Sequence, residues 1–439
     1  MSRITSYSLC YTQVLLEQGV KTGDLVAVIT PSSLTISQLL YAAHYLGVAL
    51  FPLNPSMVVE RRNTLLLQAG VGLILTDVEL DSLPEGVRSV PVSTVVETDR
   101  TVKPDVLRSQ LQLVVATSGS EGEPKGVMLS GENIAASVAA SHSRLGLSPR
   151  DIWLNCLPMF HIGGIMILYR CMDAGAAMLV HQGFDAEKVW SDLKKYRVSH
   201  LSLVPAMLSR LLDISADTAP PDSLRVVLIG GGHFSPELAL RAHAAGWPLC
   251  VSYGMSETSS QCVTHCGDRA GEVPGHVGMP LDGFEVALSA TGRIKLRGPA
   301  VMQGYLNPEL LPGLGLTQDG WFETGDLGET DQTGCLQVLG RADDMLVSGG
   351  NSVHPIEVED MLLSCPGVDE VAVSARKDKT WGDMLVALYT GNASLDGISS
   401  WCYTNLSSYQ RPREFIRVSE LPRNAMGKLD RKSLIGMLD

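Results

Sequence analysis

Apolar residues in the first part of the chain alternate between two textures. Residues 11–19 place them at helical spacing and close on Gly19, which reads as a short amphipathic helix with a glycine stop. Leu25-Val-Ala-Val-Ile29 is a continuous apolar run of strand length. Helical spacing returns over 36–46, and Val48-Ala-Leu-Phe-Pro52 is again strand-like. Strands apolar on both faces, separated by helices, predict parallel α/β layers. The same rhythm recurs in the runs 111–116, 201–204, 226–229 and 249–252. From 286 to 340 the texture changes to short strands broken by Gly, Pro and Asp, which predicts a small β-rich subdomain. Beyond Arg341 the chain has its own β and α pattern, and Asp343-Asp344 at the junction predicts an exposed connector. The expected class is therefore α/β. A large N-terminal domain, 1–340, has layered α/β subdomains plus a β-rich one, and a small α+β C-terminal domain follows, 341–439. There is no internal repeat and no low-complexity tract.

Composition narrows the partners. The chain has 439 residues, 45% hydrophobic and 18% charged, enough to bury a sizeable core. Its net charge of −13 excludes a general nucleic-acid binder and an anionic-membrane surface, both of which need a basic face. Met1-Ser2-Arg3 leads into polar residues rather than the apolar core of a signal peptide. The most apolar stretch, 162–168, meets Tyr169-Arg170 far short of membrane-spanning length. Nine scattered cysteines, an odd number, point to reduced thiols in a cytoplasmic chain. Cys262-Val-Thr-His265-Cys266 has no second ligand pair at zinc spacing, so no metal site is expected there. One local exception to the acidic balance remains: residues 411–432 hold seven Lys/Arg against three Asp/Glu. That stretch suits a single anionic ligand.

The strand run 113–116 leads into Thr117-Ser-Gly-Ser-Glu-Gly-Glu-Pro-Lys-Gly126. Glycines and small hydroxyls let backbone N–H groups approach phosphate oxygens, and Lys125 adds positive charge. The loop is not a Walker A motif and contains no G-x-S-x-G nucleophile elbow. An ordinary surface turn is the bland alternative. The pattern T-S-G-S-x-G-x-P-K-G resembles the signature of the adenylate-forming (acyl-activating, AMP-binding) enzymes, which couple a carboxylate to ATP and then usually to coenzyme A. The resemblance covers nearly the whole chain and implies a short member that lacks the family's first strands. It departs at Glu121, where the family usually has Thr; a carboxylate there would repel phosphates unless turned away or paired.

Later motifs resemble the family in the same order. On the loop, the resemblance assigns Thr117, Ser118, Gly119, Ser120, Gly122 and Lys125 to ATP. Tyr253-Gly254-Met-Ser256-Glu257-Thr258 matches the segment whose aromatic ring stacks on adenine and whose Glu helps hold Mg²⁺, a hard cation suited to carboxylate oxygen. Gly231 and Gly232, ending the preceding strand, match the adenine and acyl pocket wall. Trp321-Phe-Glu-Thr-Gly-Asp326 matches the ribose motif, with Asp326 as acceptor of hydroxyl groups, and Arg341 matches a ribose and phosphate contact. Asp343 matches the hinge about which the small domain rotates after adenylation. Lys428, in Pro422-Arg-Asn-Ala-Met-Gly-Lys428, matches the lysine that neutralises charge building on the attacked α-phosphate. Gly349 and Gly350 match the second face of that domain, where a narrow pantetheine arm of CoA would pass. The resemblance also implies a rotation-capable small domain and leaves the oligomeric state open, homodimers being common in the family.

The acyl site is read from Leu157-Pro-Met-Phe160-His161, which resembles the family's P-x-F-H motif. His161 either positions the reacting carboxylate, gates the pocket, or is structural. Arg170 follows inside an apolar run, where an unpaired charge is costly. Its partner is either an internal carboxylate or a second carboxylate on the substrate, held by the guanidinium fork. Here the chain resembles a short branch of the family, the o-succinylbenzoate–CoA ligases of menaquinone and phylloquinone synthesis, which carry a basic residue at the matching position. By the same resemblance Ser260 and Gln261 line the acyl pocket. The expected function is ATP- and Mg²⁺-dependent acid–CoA ligation, with Lys428, Lys125, His161 and Glu257 as the chemistry-bearing residues. The alternatives are another aryl- or acyl-CoA ligase with Arg170 paired internally, an enzyme loading a carrier protein, and a nucleotide-binding pseudoenzyme suggested by Glu121.

Overall fold

The computed structural model describes residues 11–92, 110–117, 124–267, 269–423 and 428–438. The strand Leu25–Ile29 forms where the apolar run predicts it and pairs in parallel with Ala49–Leu53 and Leu73–Thr76. The intervening helix, Ser33–Leu46, begins earlier than the apolar spacing indicates, because Ser32 caps it by accepting the Thr35 N–H. It stops at Gly47, whose φ of +65° a side-chain-bearing residue would strain to adopt. Leu50, Phe51 and Leu53 lose all solvent exposure. Burying each such side chain contributes about 2 kcal/mol. This first sheet has seven strands among the described residues, and the hairpin Leu111–Thr117/Lys125–Ser130 lies toward one edge.

The second sheet corrects an expectation. The runs 201–204, 226–229 and 249–252 were expected in the α/β layers and the strands from 286 to 340 in a β-rich subdomain; the runs fall in a set of five parallel strands with Leu249–Met255 at one side. Instead Ser260–Cys266 folds back antiparallel on Leu249–Met255, and His276–Pro280 joins it to Leu336–Arg341. The antiparallel strands Glu285–Leu288, Arg293–Arg297, Phe322–Thr330 and Leu336–Arg341 thus continue one sheet of eleven strands. Hydrogen bonding across the whole width fixes the β-rich strands to the parallel strands. The expected run 201–204 also shifts to His200–Leu203, with the imidazole of His200 fully buried and bonded to Ser199 and the Leu145 carbonyl.

One pair of cysteines departs from the all-reduced expectation. Cys250 and Cys266 face each other in register across the two antiparallel strands and are joined in a disulfide. Nothing in their sequence spacing announces it, since the pairing depends on the fold-back. Cys262, the other cysteine of that segment, is buried, and no metal cluster forms there among the described residues. No helix among those residues is long and apolar enough to cross a membrane.

After the 3₁₀ turn Ala342–Asp344 the chain builds a separate five-stranded sheet and its own cores. The helix Pro355–Leu363 carries the buried Glu359, which accepts two hydrogen bonds from the Arg431 guanidinium and one from the Val373 N–H. Arg431 Nε also lies 3.4 Å from Asp344. This pair ties the segment behind Lys428 to the connector. Removing one partner of a buried pair leaves an uncompensated charge, so Arg431→Ala is expected to destabilise the protein by about 3 kcal/mol. Urea unfolding followed by circular dichroism would measure it; a loss within the error of wild type would contradict the assigned weight of this pair.

Candidate active site

Two strands of the first sheet present the nucleotide-side lysine. Thr117 and Lys125 are cross-strand partners, with the Thr117 hydroxyl 3.4 Å from the Lys125 carbonyl. Ser118, Gly119, Ser120, Glu121 and Gly122 lie outside the described residues. Lys125 Nζ sits 5.1 Å from the ring centroid of Tyr305, and the Tyr305 hydroxyl donates to Glu257 Oε1 at 2.9 Å. Lysine, ring and carboxylate form one row. Burial lifts the Glu257 carboxyl above its ordinary range. A sheltered carboxylate of this kind fits Mg²⁺, a hard cation that would offset the cost of the buried charge.

The strand bearing Tyr253 ends in a bulge at Tyr253/Gly254, followed by the 3₁₀ turn Ser256–Thr258. Gly254 is obligatory there, because a Cβ would lie 2.0 Å from the Ser260 carbonyl oxygen. Ser259 and Ser260 hold φ of +52° and +100°, strained for side-chain-bearing residues. The Thr258 hydroxyl donates to the Ser260 carbonyl at 2.6 Å, and Ser137 donates to the Ser259 carbonyl at 2.8 Å. Those bonds hold the strained turn and leave the Ser260 hydroxyl aimed at Arg170.

Tyr253, Asp326 and Arg341 meet directly. The Tyr253 hydroxyl donates to Asp326 Oδ2 at 2.7 Å, and Arg341 Nη1 donates to Oδ1 at 3.3 Å. Arg341 also donates to Asp343 at 3.2 Å, so the residue matching a hinge is tied to the same carboxylate cluster. Lys428 enters from the small domain. A Cβ on Gly231 would lie 3.1 Å from Lys428 Cε, so the glycine makes room for the lysine stem. Gly232 has no such neighbour; a Cβ there would meet only Pro205 at 3.7 Å. Burial lowers the Lys428 ammonium's pKa, with the charge of Asp326 opposing. Burial, reinforced by the Lys428 charge, pulls His161 down to about 4, which leaves a neutral imidazole at neutral pH. Its Nε2 is buried without a hydrogen-bond partner among the described residues, and its ring lies 4.7 Å from that of Phe160.

Arg170 is 1% exposed, on the helix Ile162–Ala174. Its Nη2 donates to the Ser260 hydroxyl at 3.2 Å, and its guanidinium lies 5.5 Å from the Trp153 ring centroid. Among the described residues no carboxylate pairs with it, and its Nε has no partner. Burial lowers it only to about 10, so it stays charged at neutral pH. Gln261, also buried, spends its amide nitrogen on Ser141 at 3.3 Å while its Oε1 has no partner. A buried cation beside unmatched polar atoms can receive an anionic group from outside the chain.

The sequence profile of the AMP-binding enzymes matches residues 6–306, and that of the AMP-binding enzyme C-terminal domain matches 357–428. The chain belongs to the AMP-binding enzyme family. It is similar to a 2-succinylbenzoate–CoA ligase of Bacillus licheniformis, 35% identical over 433 residues, covering 95% of this chain and 90% of the relative. Its fold is similar to o-succinylbenzoate coenzyme A synthetase of Bacillus subtilis in complex with ATP and magnesium ion, with TM-score 0.89, 31% identity and coverage of 99% and 94%. Against a double mutant of that synthetase bound with its product analogue OSB-NCoA, the TM-score is 0.72 at 31% identity, with coverage of 99% and 92%.

Within this AMP-binding enzyme, the residues expected to share a site mostly do so. Lys125 and Glu257 are linked through Tyr305, Tyr253 and Arg341 through Asp326, Lys428 with His161 and Gly231, and Arg170 with Ser260. Gly349 and Gly350 do not join them; they form an exposed turn beside Trp381. Sequence reasoning missed Tyr305, Trp153 and Ser141, whose roles come from contacts far apart in the chain. It also missed His276, Asp331 and Cys335, whose ligand-type atoms lie within 4.8 Å of one another. That group sits on a hairpin where Asp331 Oδ1 closes the turn onto the Thr333 and Cys335 N–H groups.

The charge of Lys428 felt at His161 makes a pH prediction. By NMR, the His161 imidazole should titrate near pH 4, and Lys428→Ala should move its midpoint upward toward 6.5. A midpoint unchanged by that substitution would contradict the charge coupling.

Proposed function

We propose that the chain is an AMP-forming acid–CoA ligase acting on o-succinylbenzoate, and that it works in the cytoplasm in menaquinone synthesis. The observation that carries the substrate reading is Arg170: fully buried, charged, and without an internal carboxylate among the described residues. A substrate with two carboxylates supplies one for reaction and one for the guanidinium fork. The names of the relatives, which pair this chemistry with this fold over nearly the full length, support the same reading.

In the first step a substrate carboxylate oxygen attacks the α-phosphorus of ATP. The bond to the bridging oxygen breaks, and pyrophosphate leaves with an acyl-adenylate formed. Lys428 and Lys125 offset the negative charge, with Mg²⁺ held by Glu257. Neutral His161, beside Lys428, positions the reacting carboxylate by hydrogen bonding without adding a second charge. Phe160, Gly232 and Gln261 line the acyl side, and Thr117, Ser118, Gly119, Ser120, Gly122, Gly231, Gly254 and Ser256 the nucleotide side. Tyr253 offers its ring to adenine, while Asp326 and Arg341 meet the ribose. The CoA thiol then attacks the acyl carbon, releasing AMP and a proton and leaving the thioester. For this step the domain 341–439 turns about Asp343 and brings the Gly349–Gly350 face to the site.

Two measurements test this. Arg170→Ala should raise KM for o-succinylbenzoate about 100-fold while leaving KM for a monocarboxylic acid nearly unchanged. Equal effects on both acids would sink the clamp, and absence of any o-succinylbenzoyl-CoA by mass spectrometry would sink the substrate. Lys428→Ala should slow ATP–pyrophosphate exchange by roughly 100-fold or more; full exchange activity would remove it from the first step.

A further inference from the structure

The helix Pro355–Leu363 of the small domain faces the large domain along a seam that no motif announces. Asp360 Oδ1 lies 2.5 Å from His233 Nε2. One turn further on, the Ser364 hydroxyl donates to Glu237. The spacing of four residues on both sides, 233 and 237 against 360 and 364, aligns two contacts along one edge. Both pair members are sheltered, His233 at 24% side-chain exposure and Asp360 at 12%. His233 directly follows Gly230-Gly231-Gly232, the turn whose Gly231 makes room for Lys428. One loop of the large domain therefore receives both the lysine and the latch. The arrangement is the one with Lys428 in the site, and the fold agrees better with the ATP- and magnesium-bound relative than with the one bound to the product analogue.

We infer that His233 and Asp360 are a positioning pair that holds the small domain in its adenylate-forming orientation and releases it for thioester formation. Neither residue reaches the reacting atoms; each acts through the placement of Lys428. The inference rests on the ligase reading for its two half-reactions, but the latch itself is a property of the fold.

The latch is pH-sensitive in a defined direction. Burial pulls the His233 imidazole down, but the hydrogen bond and charge of Asp360 outweigh it and hold the ring above its ordinary 6.5. Glu359 also faces His233 favourably, Arg431 opposes it, and Glu237 and Glu359 both face Asp360. When the domains part, both groups return to water. The latched form thus keeps a proton that the released form loses. Its advantage is complete below about pH 6.5 and disappears as pH rises through the raised His233 titration.

The test measures ATP–pyrophosphate exchange and transfer from isolated acyl-adenylate to CoA separately, between pH 6 and 9. Wild type is compared with His233→Ala and Asp360→Asn. At pH 6.5 each variant should lose about tenfold in exchange, the weight of one charge-assisted hydrogen bond, and keep or raise its transfer rate. Wild-type exchange should fall toward the variant's as pH rises, while the variants lack that limb. Equal losses in both half-reactions, or identical pH profiles in wild type and variants, would overturn the latch. Small-angle X-ray scattering of the ligand-free chains provides a readout independent of activity. The wild-type curve should change between pH 6 and 9, and the His233→Ala curve should not. A pH-invariant wild-type curve overturns the latch even if no acid is adenylated, whereas absent adenylation with a pH-dependent curve overturns only the ligase reading.

Discussion

Asp326 is the constraint on which the rest of the site depends. Its carboxylate accepts from Tyr253 on the last of the five parallel strands and from Arg341 at the end of the antiparallel set. Those strands reach it only because the second sheet is continuous across its parallel and antiparallel halves. Asp326 and Arg341 are cross-strand partners, so the backbone register places the ion pair before any side chain chooses a rotamer. A Cβ on Gly325 would lie 2.6 Å from the guanidinium, so the neighbouring residue must stay bare for the pair to close. The same carboxylate sets the field felt by Lys428, whose charge in turn helps keep His161 neutral. One anion thereby organises Tyr253, Arg341 and Lys428.

Around this anchor the site separates charge by layer. The groups around Asp326 and Glu257 are partly sheltered and paired with one another, so a ligand entering there exchanges partners. The corner around Arg170 is different. Arg170 has no ionic partner among the described residues, and burying such a charge costs several kcal/mol. The strain at Ser259 and Ser260 lies in this same corner, where the turn aims a hydroxyl at the guanidinium. Cost and strain concentrated at one point mark where substrate binding must return the energy.

The fold was legible in the chain wherever local pattern decides it. Apolar runs at 25–29 and 226–229 coincide with Leu25–Ile29 and Val226–Ile229, because a strand buried on both faces has no other reading. The helix start at Ser33 was missed by three residues because capping, not apolar spacing, sets it. Motif order also named most of the residues that the fold brings together, since glycine turns and single carboxylates sit at fixed spacing. What stayed illegible was contact across long separations. Arg170 and Ser260 are 90 residues apart, Tyr305 and Glu257 are 48 apart, and His233 and Asp360 are 127 apart. The fusion of two expected sheets and the Cys250–Cys266 bond belong to the same class, for both arise from one strand folding back.

The strength of the interdomain contact follows from what the reaction asks of it. In the proposed two-step reaction one pocket serves two placements of the small domain, and each must be populated during a turnover. A fully buried ion pair across the seam would cost 3–5 kcal/mol to break and would hold the first placement against the second. A fully exposed pair would contribute under about 1 kcal/mol and leave Lys428 poorly placed. The His233–Asp360 pair lies between these limits, sheltered on the carboxylate side and open enough on the imidazole side for water to enter. The internal pair Glu359–Arg431 is more enclosed and lies wholly within the small domain, so under the proposed rotation it stays intact and holds the segment that follows Lys428. Rigidity within the unit and moderate adhesion between units are separate requirements. The chain meets them with adjacent acidic residues of one helix: Glu359 pairs with Arg431 inside the small domain, and Asp360 pairs with His233 across the seam.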